Sequence, residues 1–396
     1  MREFGLITRA RSGEWLTQKS AVAICLLIIL AMIIWVIHIF PPTFDTDFIS
    51  FYAASLEVAR GIPLAAYDST AHHLTQTNAT GCCTARWYAF FYPPVMLLFV
   101  WPLAFFSFKA AFFVWGGAQL TLFMISLRQL VGRGLSLIPY LAFPAVFISL
   151  SMGQNALLTG AIFAGGTAAF KLGRPLLGGL IFGCLIYKPH FGILLPIAFI
   201  SGREWKGLIG AALSTCALII ASALAFGVDA WFIYLYQTSS EAVQSFTNQD
   251  VAYYYLVSPY AGARLLGIEN SIARLIQLGF TIAAMLLVAI VWRRSKNIAV
   301  RSAILIAGTL LAAPVILFYD LLLIAVVIAW IVVDAKTRGW LPWEKTLLIA
   351  LYPLVFIAPF GSQVTGLPYG LLCTLITMSL AWRRFTFSPK NLLVDK

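Results

Sequence analysis

The feature that most constrains this chain is a series of long apolar runs that recur along its whole length. Of its 396 residues, 61% are hydrophobic and only 11% are charged, whereas soluble domains average about 25% charged residues. A soluble fold of this size cannot bury so much apolar surface, because surface area falls behind volume only slowly as a chain lengthens. The runs are continuous, which predicts helical spans. We therefore expect an all-α polytopic membrane protein.

The apolar runs number thirteen, and several are too short to cross a bilayer in a straight helix. A run of about 13 residues makes roughly 20 Å of helix, which is typical of helices that border a membrane-embedded cleft. The runs cover 21–40, 93–107, 110–127, 137–150, 154–170, 175–187, 189–201, 207–226, 272–292, 299–318, 321–333, 345–358 and 366–382. Both termini are basic and should share a side, which an odd number of spans forbids. We therefore expect about 12 transmembrane helices, with one run between 93 and 170 re-entrant or merged.

The formal charge of +12 is distributed over loops in a pattern that indicates topology. Loops with clusters of Lys and Arg alternate with loops that lack them, and the basic loops of membrane proteins lie in the cytoplasm. Lys109, Arg128 and Arg133 cannot be assigned from the pattern. We expect one integral membrane domain over residues 1–396, with a cytoplasmic N-terminus at 1–20, a first outer loop at 41–92, a second outer loop at 228–270 and a cytoplasmic tail at 383–396.

The first outer loop is predicted to hold two short amphipathic helices, Asp47–Arg60 and Ser69–Thr77. Gly61 to Pro63 separates them as a break. His72 and His73 lack a third ligand at metal-binding spacing, so we interpret them as solvated or acceptor-side residues. The six cysteines show no spacing typical of a metal site or a disulfide framework, and we expect no cofactor.

Two acids follow the first span at membrane depth, where a carboxylate is costly unless it faces water or a partner. Asp45 and Asp47 can each cap the helix that follows, since Asp is a good N-cap residue. For Asp45 we favour the capping role, although it remains a candidate for substrate binding. For Asp47 we favour a functional site, because an acid at a hydrophobic interface commonly marks one.

Lys188 lies in the middle of an apolar stretch, between basic residues that both belong to the cytoplasmic set. This pattern favours two short helices that meet at the outer face, with Lys188 at their junction. There the ammonium would bind an anion such as a phosphate. The alternative is a lysine that extends its charge to the headgroup region. We expect His190, two residues further on, to be a packing or hydrogen-bonding neighbour.

Further candidates interrupt other apolar runs. Gln154 and Asn155 open a short run, where amides either cap a helix or bind hydroxyl groups. Tyr319 and Asp320 interrupt another, and Asp320 is a candidate salt-bridge partner for Lys188 or Arg264. No glycine-rich phosphate loop, nucleophile elbow or kinase signature occurs in a plausible context. A substrate must therefore come from the membrane or the outer compartment, and nucleic acid is not expected.

Several short motifs resemble those of glycosyltransferase family 87. The members of this family are bacterial mannosyltransferases of the C-type superfamily, and their relatives, that use polyprenyl-phosphate mannose as donor. The ordered set covers about residues 45 to 205, with a weaker echo up to Asp320. The motifs are Asp47–Ala54, Gly61–Asp68, Tyr92-Pro93-Pro94 with Pro102-Leu103 downstream, Gly153-Gln154-Asn155, Lys188-Pro189 and Arg203-Glu204-Trp205, echoed by Ser258-Pro259 and Pro314–Asp320.

The resemblance implies a C-type glycosyltransferase-like fold in the bacterial cytoplasmic (inner) membrane, with its active site facing outward. It implies an inverting transfer of a sugar, most plausibly mannose, from a polyprenyl-phosphate donor to a lipid or glycan acceptor. By position, Asp47 is the general base. Lys188 and Arg264 are candidates for the donor phosphate, and Tyr52 and Tyr92 join the amides, His190, Tyr319 and Asp320 as candidates for substrate binding.

Two other function classes are compatible with embedded charges on many spans. A transporter or flippase of a lipid-linked or small anionic substrate should show an internal repeat with matched broken helices, and no convincing repeat is visible. A scaffold for envelope synthesis would tolerate the loss of Asp47. We favour the enzyme.

Overall fold

The computed structural model describes residues 46–80, 87–247 and 251–387, together with Ala23, Leu26, Leu27, Leu30 and Ile34. Most of the expected first span and the last nine residues therefore lie outside the described residues. Within the described ranges the chain is helical, and its only extended pairing is an isolated antiparallel bridge between Leu256 and Leu317. This confirms the all-α expectation.

The α-helices are α1 (Phe48–Ala59), α2 (Ser69–Thr80), α3 (Val95–Val100), α4 (Phe108–Val131), α5 (Ile138–Leu141), α6 (Pro144–Met152), α7 (Ala156–Lys171), α8 (Pro175–Gly183), α9 (Leu195–Gly202), α10 (Trp205–Phe226), α11 (Val228–Ile233), α12 (Ser239–Thr247), α13 (Pro259–Leu265), α14 (Asn270–Arg294), α15 (Ile298–Ala312), α16 (Leu323–Arg338), α17 (Glu344–Thr365) and α18 (Tyr369–Thr386). Short 3₁₀ turns occupy Pro63–Tyr67, Trp101–Phe105, Cys184–Tyr187, Pro189–Gly192, Tyr253–Tyr255 and Phe318–Leu322, and one π-helical turn occupies Tyr234–Thr238.

Five of the described helices are long and apolar enough to cross a membrane. They are α4, α10, α14, α17 and the continuous helical segment Phe318–Arg338 that contains α16. The α10 helix leaves most of its apolar side chains exposed, among them Leu213 and Leu224, as expected for a surface that faces lipid. The Phe318–Arg338 segment is instead almost completely buried and lies at the centre of the core. The described helices are thus those of a membrane protein, and the Phe318–Arg338 segment is enclosed by its neighbours.

The helices α8 and α10 pack at very short distance because glycines face each other across their contact. A Cβ atom at Gly179 would collide with the backbone of Gly207, and one at Gly210 would collide with the backbone of Leu176. Small residues allow this close approach, which replaces the hydrophobic driving force that is absent between helices in lipid.

The predicted basic loops meet at one end of the helix bundle. Lys171, at the end of α7, donates to the carbonyl of Leu130 near the end of α4, and Asn297 donates to Asp334 of α16. The Arg384 guanidinium is buried between Asp334, at 3.0 Å, and Glu344. We call this the basic end. Arg128, which the sequence left unassigned, also lies here and donates to carbonyl groups of the following turn.

The apolar run at 93–107 forms a segment whose two ends lie close to each other. The segment formed by α3 and the Trp101–Phe105 turn begins and ends against α1. At its start the Tyr92 ring lies 5.3 Å from Phe51, and at its end the carbonyl of Phe106 accepts a hydrogen bond from Tyr52. Both ends therefore lie against neighbouring residues of α1, an arrangement that a re-entrant run would have.

The two helices of the first loop occur where they were predicted, but they are more buried than a solvated loop would be. Eight consecutive residues of α1, Phe48 to Ser55, are buried. Glu57 and His72 are also buried, and the His72 ring bonds to Glu57 at 3.0 Å and to the Ser50 hydroxyl at 3.2 Å. The interpretation of His72 as a solvated residue is wrong, because this residue joins α2 to α1 in the interior.

Candidate functional site

Asp47 lies directly before α1, at the end of the bundle opposite the basic end. Its Oδ2 atom accepts a hydrogen bond of 2.7 Å from Nε2 of Gln154, a residue 107 positions away in sequence. The Asp47 side chain makes no capping hydrogen bond to α1. The capping alternative is therefore wrong for Asp47, whose carboxylate is turned towards a second motif of the chain. Asp45 lies outside the described residues.

Gly153 holds Gln154 in place beside Asp47. It ends α6 with a φ of +63°, and a Cβ atom there would lie 2.5 Å from Cβ of Phe48, the residue after Asp47. The carbonyl of Gly153 also accepts a hydrogen bond of 3.0 Å from the Trp115 indole. Only glycine combines this left-handed backbone with so little space, so the turn and the start of α1 are in direct contact.

Lys188 occupies the predicted junction between two short helical segments. The 3₁₀ turns Cys184–Tyr187 and Pro189–Gly192 flank it. Its Nζ atom lies 2.8 Å from Oδ1 of Asp320, and the two side chains are only 6% and 1% exposed. The snorkelling alternative is wrong for this lysine, because its charge is buried in protein. The predicted pairing of Asp320 is confirmed, with Lys188 as its partner.

The ammonium of Lys188 retains capacity for a further ligand. It lies 5.0 Å from the ring centre of Phe191 and 5.5 Å from that of Tyr319, both within cation–π range. An ammonium has three donors, and within the described chain Asp320 is the one hydrogen-bond acceptor of Lys188. Asp320 is itself held, because its second oxygen accepts from the backbone N–H of Leu317. The pair is therefore buried, and two donors of the ammonium have no hydrogen-bond acceptor among the described residues.

Tyr92 connects the Asp47 pair with the Lys188 pair. Burial raises the pKa of its hydroxyl, and the negative charges of Asp320 and Asp47 raise it further, while an interaction with the Asn155 amide opposes the shift. The hydroxyl therefore lies in the electric field of both acids and stays protonated as a donor. Tyr319 also lies in the field of Asp47.

The described structure brings together Asp47, Tyr92, Gln154, Asn155, Lys188, Tyr319 and Asp320 at this end of the bundle. Two other candidates are engaged elsewhere, whereas His190 lies beside Lys188. The Tyr52 hydroxyl donates to Phe106. The Arg264 guanidinium donates to the Tyr253 hydroxyl and to the carbonyl of Ile268. His190 packs its ring 4.8 Å from Phe191, as expected for a neighbour of the lysine.

Two polar residues inside helices contribute to the site and were missed by the sequence analysis. Gln119 of α4 is 2% exposed, and its Oε1 atom accepts from the backbone N–H of Leu158 at the start of α7. Thr159 bonds to the Tyr187 hydroxyl at 2.6 Å. Gln119 could have been identified from the sequence as a candidate, because a polar side chain within an apolar span usually has a structural or functional role. Among the described residues no group of three His, Cys, Asp or Glu side chains is placed to hold a metal ion.

Comparison with known proteins gives one match. The model of glycosyltransferase family 87 matches residues 90–316, a little over half of the chain. The matched range contains Gln154, Asn155, Lys188 and Arg264, whereas Asp47 and Asp320 lie outside it. Searches of the curated proteins and of the solved structures each found no match.

Proposed function

The chain belongs to glycosyltransferase family 87, and on that premise we propose that it transfers a sugar from a polyprenyl-phosphate donor to an acceptor of the cell envelope. The sugar is mannose, the acceptor is a glycan or glycolipid, and the reaction occurs at the outer face of the bacterial cytoplasmic membrane. The observation that carries the proposal is that the half-buried Asp47 carboxylate and the buried Lys188–Asp320 pair lie at the same end of the bundle, with the Tyr92 hydroxyl influenced by both acids.

Asp47 is the general base of the proposed reaction. The acceptor hydroxyl attacks the anomeric carbon of the donor sugar as the bond from that carbon to the phosphate oxygen breaks, and Asp47 takes the hydroxyl proton. A positioned base commonly contributes about 10²- to 10⁴-fold to the rate. The hydrogen bond from Gln154 orients the carboxylate towards the site.

Lys188 binds the phosphate that leaves. As the bond breaks, the lipid phosphate gains negative charge, and a fixed ammonium in a desolvated site stabilises that charge more than water does. Asp320 holds the ammonium in place and compensates its charge before the donor arrives. No nucleotide is needed, because the energy for transfer resides in the sugar–phosphate bond.

The proposed orientation follows from the charge pattern. The basic end, which holds Lys171 and Arg384, faces the cytoplasm under the positive-inside rule. In this proposal α5 and α6 form one crossing, and α8 and α9 each form one crossing together with the adjacent 3₁₀ turn. Counted in this way, the described helices supply eleven crossings. With the expected span at 21–40 the total is twelve, which supports the proposed topology with both termini in the cytoplasm.

The test is a transfer assay with purified protein in lipid nanodiscs, polyprenyl-phosphate mannose carrying a radiolabelled sugar, and a bacterial membrane lipid extract as the source of acceptor. The wild type should release polyprenyl phosphate and label an acceptor, and Asp47→Asn should slow transfer by about 10²-fold or more. Asp68→Asn is the matched control, because Asp68 caps α2 away from the site. Transfer by Asp47→Asn at the wild-type rate would show that Asp47 is not the base. Absence of any transfer by the wild type would reject the donor.

A further inference from the structure

Among the described residues, Asn155 is a completely buried amide with neither of its polar side-chain atoms, Nδ2 and Oδ1, hydrogen-bonded. Burying an amide without partners costs free energy, typically about 1–3 kcal/mol in proteins. Such a cost persists at sites where the group has a partner in another state, such as a bound ligand.

The local fold keeps this amide unpaired. Asn155 occupies the N-cap position of α7, where an Asn side chain usually accepts from the backbone N–H two or three residues on. It makes no such bond. The N–H of Leu158, three residues on, is instead satisfied by Oε1 of Gln119 from the neighbouring α4 helix at 3.2 Å. A second helix thus supplies the cap, and the Asn155 amide is released from that role.

The backbone of Asn155 is fixed in contrast to its unpaired side chain. Its carbonyl accepts hydrogen bonds from the Thr159 hydroxyl at 3.2 Å and from the Tyr187 hydroxyl at 3.4 Å. Gln154, the preceding residue, holds Asp47, and Tyr187 precedes Lys188. Asn155 therefore lies between the proposed base and the proposed phosphate ligand, and its side chain is close enough to the Tyr92 hydroxyl to influence it.

We propose that the Asn155 amide binds a ring hydroxyl of the transferred sugar and thereby selects the donor. A sugar hydroxyl both donates and accepts, which matches an amide that offers Nδ2–H and Oδ1 together. A phosphate only accepts and would leave Oδ1 unpaired. Sites that hydrogen-bond a substrate hydroxyl reject analogues that lack it, because their own buried groups then stay unpaired. The inference rests on the proposed function and adds the part of the donor that is recognised.

The first measurement is the stability of the protein without substrate, which separates a ligand-binding amide from a structural one. Asn155→Ala and the volume-conserving Asn155→Leu should unfold at the same temperature as the wild type or a higher one, because each removes a buried group without a partner. Ser302→Ala is the matched control, since the Ser302 hydroxyl is equally buried and unpartnered on α15 but lies outside the site. A lowered midpoint for both Asn155 variants would overturn the inference.

The second measurement uses polyprenyl-phosphate mannose and its 2-, 3-, 4- and 6-deoxy analogues in nanodiscs. The Asn155 variants should lose about 10- to 100-fold in kcat/KM with the complete donor, while Ser302→Ala stays at the wild-type rate. For the wild type, one deoxy donor should have a much lower kcat/KM than the complete donor. For the Asn155 variants, the same deoxy donor should lower kcat/KM only slightly, because the hydrogen bonds to that hydroxyl are already missing. Equal sensitivity of wild type and variants to every deoxy donor would overturn the inference. Activity of the wild type with the complete donor keeps this result separate from a failure of the proposed function.

Discussion

The buried ion pair between Lys188 and Asp320 allows the structural and the chemical role of one lysine to be separated. The charged atoms lie 2.8 Å apart, and both side chains are almost completely buried. At an effective dielectric constant of about 20, their attraction is about 6 kcal/mol. Desolvation of two ions offsets much of this energy, but removal of one partner leaves the other charge buried and unpaired. We expect Lys188→Met or Asp320→Leu alone to lower the free energy of unfolding by about 3–5 kcal/mol.

The double variant Lys188→Met with Asp320→Leu should be far less damaging than either single change. It removes both charges and fills the space with apolar side chains of similar volume, and such replacements are often neutral or stabilising. The assay is reversible unfolding in mixed micelles with a rising fraction of sodium dodecyl sulfate, followed by tryptophan fluorescence. Glu204→Gln provides the matched control, because its pair with Arg301 is 28% and 12% exposed and should contribute about 1 kcal/mol or less.

The same three variants test the chemistry. The double variant should be folded and stable but inactive in sugar transfer, because the phosphate has lost its ammonium. If each single variant lowers the free energy of unfolding by less than about 1 kcal/mol, the pair is not desolvated to the extent that its burial indicates. If the stable double variant still transfers sugar at the wild-type rate, Lys188 does not bind the donor phosphate.

Two further predictions concern the elements that hold Asp47. Gly153→Ala should lower the free energy of unfolding by about 2–4 kcal/mol and reduce transfer, because it combines a left-handed backbone with a Cβ collision. In the same unfolding titration Gly366→Ala, which has the same left-handed backbone but open space around it, should lose only about 1–2 kcal/mol, and equal losses would contradict the collision argument. Glu57→Ala should cost roughly 2–3 kcal/mol by leaving the His72 ring without its carboxylate, and a loss below 0.5 kcal/mol would show that the buried pair does not join α1 to α2.

Much of the fold could be predicted because its signals are local. Apolar runs locate the helices, and Gly61 to Pro63 separates α1 from α2 through backbone preferences of those residues alone. Lys188 was assigned to a helix junction from the basic residues on either side, and the structure places it there. The odd number of apolar runs indicated that one run between 93 and 170 is re-entrant or merged, but it did not identify which one.

The pairings within the site were harder to predict, because each of them joins residues that are far apart in sequence. The contact between Asp47 and Gln154 joins residues 107 apart, and that between Lys188 and Asp320 joins residues 132 apart. From charge alone, the partner of Asp320 could have been either Lys188 or Arg264. The interpretation of His72 as solvated failed because its loop position gave no sign that α2 packs it against Glu57.

The sequence by itself determined the membrane class, the helical character and the grouping of basic loops, since these follow from composition and from the length of apolar runs. Only the tertiary structure decided that Gln119 caps α7 in place of Asn155, and that Asp47 faces Gln154 instead of capping its own helix. The physical reason is that such a side chain can form one of two alternative hydrogen bonds, and the helices that pack beside it determine which one forms. The packing of these helices depends on the whole bundle. Close contacts such as the one at Gly153 determine which side chains lie next to each other.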